Sequence, residues 1–254
     1  METRKTNWRL RIKMAAVAGL AAIVGAANLL VSGCGSNNKL VDKCITKPYV
    51  ETALVSDYVA RHGMMVEGQV RQDLVNLNVN DRFSAFVWQN YSYKENDFNE
   101  RDFGFSYNLP VTDKVSVRGG YEFWDYPSGT FGDYDNVLKA GAHYSGKLDL
   151  DFDLTHLLPT ETTPESGTRY YFKASKNFPV GNLGDFDVSL TPSISTAIID
   201  NYYRRTGHSQ VTPGLNLGVA KKNWSLNLFL NAQDAKIPAF KNKMWSGASL
   251  AYKF

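Results

Sequence analysis

Asp149, Asp151 and Asp153 occupy one parity of the stretch "KLDLDFDLTHLL" (147–158), and Leu148, Leu150, Phe152 and Leu154 occupy the other. Successive side chains of a strand point to opposite faces, so this spacing predicts a strand that is acidic on one side and apolar on the other. Carboxylates in a row attract cations, repel anions and need partners. On a soluble sheet they would face water; in a membrane barrel they would face the lumen and take part in choosing solutes.

The neighbouring segments supply the partners. A three-residue turn at Tyr144-Ser145-Gly146, with glycine in the left-handed position of a bulge-type hairpin, would pair His143 with Lys147 and set Lys139 opposite Asp151. A loop over 159–167 would set Leu158 opposite Thr168 and Asp153 opposite Lys173, with Arg169 on the same parity as Lys173. Arg118 and Glu122 fall one strand further. The eight residues form a candidate lumenal network. It can brace the wall, since inward charges must be paired or hydrated, or it can form a constriction whose cations attract anionic solutes while the aspartates tune selection.

Other chemistry is sparsely represented. His62, His143, His156 and His208 are dispersed, without HxxxH or CxxC spacing, so neither a metal nor any other cofactor is expected. His156 lies near one strand end on the apolar parity, where a lipase-type dyad could sit, but no serine-containing partner motif accompanies it. The "GTFG" (129–132) and "GNLG" (181–184) stretches read as turns, because neither follows a strand and opens a helix as phosphate loops require. "RR" at 204–205, beside Tyr202 and Tyr203, reads as a solvated loop. No catalytic residue is assigned.

The elements that would carry the charged row repeat along the chain. Apolar/polar alternation marks twelve segments: 50–60, 65–77, 83–93, 99–109, 114–125, 134–144, 147–157, 168–177, 186–199, 209–220, 223–233 and 243–254. Roughly ten tilted residues suffice for a strand to cross a bilayer. Odd-numbered connections such as "DYPSGTFGD", "PTETTPESG" and "DNYYRRTGH" are mostly long and polar; even-numbered ones such as "NVND", "PVTD" and "KKN" are mostly short. "ARHGMM" is short for its class and "FPVGNLGD" long for its own. Such sorting, with an even strand number, predicts a single up-and-down antiparallel transmembrane β-barrel with both termini periplasmic. A two-sheet sandwich would also alternate, but has no reason to sort its loops.

Aromatic residues divide in the same way. Tyr107, Tyr144, Trp224, Tyr252 and Phe254 fall at the predicted periplasmic ends; Tyr58, Tyr93, Phe123, Tyr134 and Tyr170 fall near the outer ends. Two interfacial girdles are a membrane-barrel feature. The terminal "SLAYKF" places Ala248, Leu250, Tyr252 and Phe254 on one face and resembles the signal that barrel assembly machinery reads, which makes that machinery an expected partner through Phe254.

The first residues read differently. Arg4, Lys5, Arg9, Arg11 and Lys13 precede an apolar stretch from Met14 to Val31, the layout of a secretory signal peptide over 1–33. "VSGC" resembles a lipobox with Cys34 as the lipidated residue; unlipidated, Cys34 could instead pair with Cys44. Residues 34–48 read as a flexible linker and 49–254 as the barrel. Residues 1–33 hold five of the 28 Lys and Arg and one of the 25 Asp and Glu, which leaves 23 against 24. Nothing in that balance suggests nucleic-acid binding, which needs a concentrated basic face.

Three stretches carry a family resemblance. "VSDYVARHG" (55–63), "GGYEFWDYPSG" (119–129) and "DYDNVLKAGAHY" (133–144) resemble the bacterial porin family called TorF-like, diffusely over residues 50 to 180, although His62 here separates Arg61 from Gly63. The resemblance implies an outer-membrane porin without catalytic residues. The expectation is therefore a bacterial outer-membrane channel for small hydrophilic solutes, set in lipid and lipopolysaccharide. A barrel with an occluded lumen in a structural or surface-interaction role, and a lipid-acting barrel enzyme, are the alternatives.

Overall fold

A computed structural model of the chain describes residues 46–254 apart from 62, 64, 67, 81, 130, 131 and 162. The signal peptide, the lipobox-like Cys34, Cys44 and His62 lie outside the described residues.

Twelve antiparallel strands form the wall: β1 (Thr46–Val55), β4 (Val70–Asn78), β5 (Phe83–Ser92), β6 (Asp97–Pro110), β7 (Val115–Asp125), β8 (Tyr134–Ser145), β9 (Asp149–Leu158), β10 (Gly167–Ser175), β12 (Phe186–Tyr202), β13 (Arg205–Lys221), β14 (Trp224–Ala235) and β15 (Lys243–Lys253). Each pairs with its sequence neighbour, β10 pairs with β12, and β1 pairs with β15 along Tyr49–Val55, which closes the sheet. Closure removes free edges, as a structure surrounded by lipid requires. Two short strands, β2 (Tyr58–Val59) and β3 (Met65–Val66), make a separate hairpin, and β11 (Phe178–Leu183) pairs only with the start of β12. The long "FPVGNLGD" connection is thus a protruding hairpin.

Turns at the end that holds the chain termini are tight for identifiable reasons. The Asn80 carboxamide accepts the Arg82 and Phe83 N–H groups at 2.8 Å each. The Thr112 hydroxyl accepts those of Lys114 and Val115 at 3.2 and 3.0 Å. Side chains that close a turn on their own backbone favour these residues there.

The outer surface is apolar in the alternating pattern expected of lipid contact, with Leu226, Leu228 and Leu230 exposed along β14 and Phe105, Tyr107 and Leu109 along β6. At the terminal end Trp224 meets Tyr252 at a tilt with ring centroids 4.6 Å apart, and Tyr252 meets Phe254 edge-on at 4.7 Å. At the opposite end Phe123 stacks on Tyr134 at 5.5 Å. Tyr58 departs from its expected place in that girdle: it turns into the barrel, where its ring meets Trp88 at 5.8 Å.

The first segment ends earlier than alternation predicts. β1 stops at Val55 and β4 begins only at Val70, so the connection expected to be short runs from 56 to 69 and folds inward. The buried apolar cluster sits away from the termini, where Trp124, Val137, Leu157, Ile199 and Tyr202 of the wall meet Tyr126 and Phe240 of the connections.

Candidate functional site: the charged lumen

Register decides which lumenal charges meet. On β8 and β9, Ser145 pairs with Asp149, His143 with Asp151, and Lys139 with Thr155; the turn is Gly146-Lys147-Leu148. The expected pairs His143–Lys147 and Lys139–Asp151 are therefore displaced, each residue meeting a partner four positions further along. On β10, Lys173 faces Asp151 and Tyr171 faces Asp153, which displaces the expected Asp153–Lys173 pair by two positions; Leu157 faces Gly167, and Thr168 faces His156. Both displacements are even, so every side chain keeps its expected face. The physical reason is the place of the turn: it stays three residues long but lies two positions further along, over 146–148, so Tyr144 and Ser145 join the ladder and every pairing across it shifts by four.

The aspartates consequently have three different environments. Asp149 accepts from the Ser145 hydroxyl at 3.0 Å near the rim. Asp151 meets His143 Nδ1 at 2.9 Å. Asp153 is buried and takes two guanidinium groups, Arg118 on β7 and Arg61 on the inward hairpin, the latter at 3.1 Å. Arg118 reaches Asp153 across the intervening strand because Gly141 lies between them, paired with both. A Cβ on Gly141 would stand 2.9 Å from Arg118 Nε and 3.0 Å from Asp153 Oδ1. Glycine here keeps open the path of an ion pair.

Glu122 and Lys139 pair at 3.6 Å, and Trp124 Nε1 donates to the same Glu122 oxygen at 2.8 Å. Arg169 donates to the Thr155 hydroxyl at 2.6 Å and lies over the Tyr202 ring at 5.8 Å. Of the eight network residues, Arg118 and Asp153 are in contact and so are Glu122 and Lys139. Asp149, Asp151 and Lys173 sit lower in the barrel, and Arg169 stands apart from the carboxylates.

Arg61 was not among the expected site residues. Its hairpin is tied to several walls: Gln210 donates to the Arg61 carbonyl at 2.8 Å and Gln233 to the Gly63 carbonyl at 3.0 Å. Gly63 adopts a positive φ of 92°, and a Cβ there would lie 2.9 Å from Gln210 Oε1, so the tip crosses the lumen only as glycine. The base is held by Asp57, which accepts from Lys243 Nζ at 2.6 Å and from the Gly68 N–H at 3.0 Å. Burial raises the affinity of the Asp57 carboxyl for a proton, but these donors outweigh it and hold its pKa below the ordinary value. The turn-forming Ser56-Asp57 pair was the signal that could have revealed an inward bend.

Below the apolar cluster the lumen encloses a cavity of about 540 Å3. Arg61, Arg118, Lys139 and Arg169 line it beside Asp153 and Glu122, and Glu100 and Asp102 of β6 face it too. Neither of those last two acids was among the eight expected network residues, although alternation puts Asp102 on the polar face of its strand. The remaining described histidines have local partners: His156 meets the Thr168 hydroxyl at 2.9 Å and His208 the Thr196 hydroxyl at 2.7 Å. Among the described residues no group of three or more His, Cys, Asp or Glu could hold a metal ion.

The chain superimposes on the KdgM porin with a TM-score of 0.55 at 10% identity, over 81% of this chain and 99% of that one. The KdgM porin in complex with disordered oligogalacturonate gives 0.54 at 10% identity, over the same shares. The fold is that of a porin barrel. A third structure, the NanC porin, matches at 0.49 and 8% identity over 81% of this chain and 98% of that one. No family model matches the chain, and no curated protein is similar to it in sequence. The closed wall, apolar exterior and porin fold make this an integral barrel of the outer-membrane type.

Proposed function

We propose that the protein is a porin-like channel for small hydrophilic solutes, narrowed by the inward hairpin that carries Arg61. One observation carries this reading. Inside the wall, the side chains of Arg61 and Arg118 keep 56% and 41% of their surface exposed while both hold the buried Asp153. Inward charges that stay this wet line a hydrated path and do not fill a packed core. A mixed-charge constriction passes ions and small polar molecules and discriminates by the field across it. The likeness to the TorF-like family agrees with this reading and names no solute.

An occluded structural barrel is the second reading, favoured by the apolar cluster of Trp124, Tyr126, Val137, Leu157, Ile199, Tyr202 and Phe240. Purified protein in planar bilayers separates the two. Discrete current steps are the expected result, and silence from folded, heat-modifiable protein across a range of voltages would establish occlusion. We take the end away from the termini as extracellular. Phe254, whose N–H donates to the Pro48 carbonyl at 2.9 Å and so ends on the closing strand, is our candidate contact for assembly machinery.

A further inference from the structure

Among the four cations that line the lumenal cavity, three have carboxylates: Arg61 and Arg118 share Asp153, and Lys139 pairs with Glu122. Arg169 has none within ion-pair distance among the described residues, although it is the most deeply buried of the four, at 4% exposure. Its one described hydrogen bond goes to a neutral group, the Thr155 hydroxyl, and its Nε lies buried without a hydrogen-bond partner. A guanidinium withdrawn from water without a counterion is costly, and folds generally place an anion beside it or leave it a reason to be bare.

The surroundings show how this orientation is kept. The Tyr202 ring supports the guanidinium plane at 5.8 Å, and cross-strand pairing sets Arg169 between Thr155 and Ile199. Lys139, Arg61 and Arg118 line the same cavity with their carboxylates, and Glu100 and Asp102 line it too, so Arg169 is singled out by its lack of a paired acid and not by the charge of the cavity as a whole. Trp124, Tyr126 and Tyr203 offer aromatic surface on the side toward the apolar cluster. A planar fork of donors, held in place with one bond to a neutral hydroxyl and no anionic acceptor, matches a carboxylate bidentately.

Building on the channel reading, we infer that Arg169 is the anchor of a lumenal binding site for a carboxylate-bearing small solute. The carboxylate sits on Arg169 with Lys139 near it, and the organic remainder lies against the aromatic rim. The site binds in passing, so its affinity is modest and its effect on transport is selective.

The test is isothermal titration of sodium succinate into the detergent-solubilised full chain, with sodium chloride at matched ionic strength as the blank. Saturable heat is expected, weakened about tenfold or more in Arg169→Gln, since that substitution removes the charged donor pair. Arg169→Lys should bind with intermediate affinity, and Lys114→Gln, in an exposed turn at the terminal end, should bind as the parent. If Arg169→Gln does not fold, Arg169→Lys is read alone, and parent-like affinity in it would overturn the bidentate assignment. Unsaturable heat, or equal affinity in parent and Arg169→Gln, would overturn the site. Inorganic phosphate is titrated in parallel, and tighter binding of phosphate than of succinate would overturn the carboxylate assignment. Current steps without succinate binding leave the channel reading standing and remove this inference; silence in bilayers removes the channel reading itself.

Discussion

Asp151 and Asp153 are two residues apart on one face of β9, yet their removal should have very different consequences. Asp151 is 26% exposed at its side chain and meets one half-exposed partner, His143. Such a pair contributes about 0–1 kcal/mol. Asp153 is 6% exposed and receives two guanidinium groups, so Asp153→Asn removes two charge-assisted bonds at once. Each is worth about 1.5–3 kcal/mol when fully desolvated. The arginines are about half in water and can rehydrate, which discounts that figure, and we expect a loss of about 1–3 kcal/mol for Asp153→Asn against about 0–1 kcal/mol for Asp151→Asn. Because Arg61 is the tip contact of the inward hairpin, Asp153→Asn should also loosen the constriction and raise single-channel conductance. Reversible urea unfolding in detergent or lipid measures the first effect and planar-bilayer recording the second. Equal losses for the two variants, within about 0.5 kcal/mol, would refute the assignment of Asp153 as the point where the hairpin is tied to the wall.

Gly141→Ala should act on the same ion pair without touching a charge: the added Cβ would stand 2.7 Å from the Phe152 carbonyl oxygen and between Arg118 and Asp153. A loss of about 1–3 kcal/mol is expected from overpacking, read by urea unfolding, and parent-like stability would show that Arg118 does not cross there. On the lipid face the cost of a charge should depend on depth: Leu228→Arg, mid-strand in β14, should cost about 2–4 kcal/mol, and Leu150→Arg, beside the girdle residue Tyr144, about 0–1 kcal/mol. Equal costs for the two, or a neutral Leu228→Arg, would overturn the placement of the apolar belt. The hairpin base should be acid-sensitive. The folded pKa of Asp57 is lowered, so its contribution is fully present above the unfolded value of about 3.9 and is lost as pH falls through the lower folded value. Current noise from hairpin motion should therefore rise below about pH 4. Asp57→Asn should show that noise already at neutral pH, and a quiet Asp57→Asn channel would exclude this tie.

Strand number, strand direction and the face of nearly every side chain were legible in the sequence because each follows from a period of two, which needs only local alternation and is insensitive to even displacements. Hence Leu150 and Asp151 face opposite ways as expected, although their partners differ from those expected. Which lumenal charges touch depended on two things that alternation does not encode, the position of the β8–β9 turn and the stagger of β9 against β10. Those decided that Asp153 meets Arg118 and not Lys173, and that Arg169 faces Thr155 and no carboxylate. The hairpin from Tyr58 to Val66 was beyond a strand-by-strand reading for a further reason. Its inward course is held by Asp153, Gln210, Gln233 and Lys243, residues 92 to 186 positions away, and contacts of that separation exist only once the barrel has closed. The sequence alone determined a wall with a charged interior; tertiary closure decided which of those charges meet and how narrow the passage between them is.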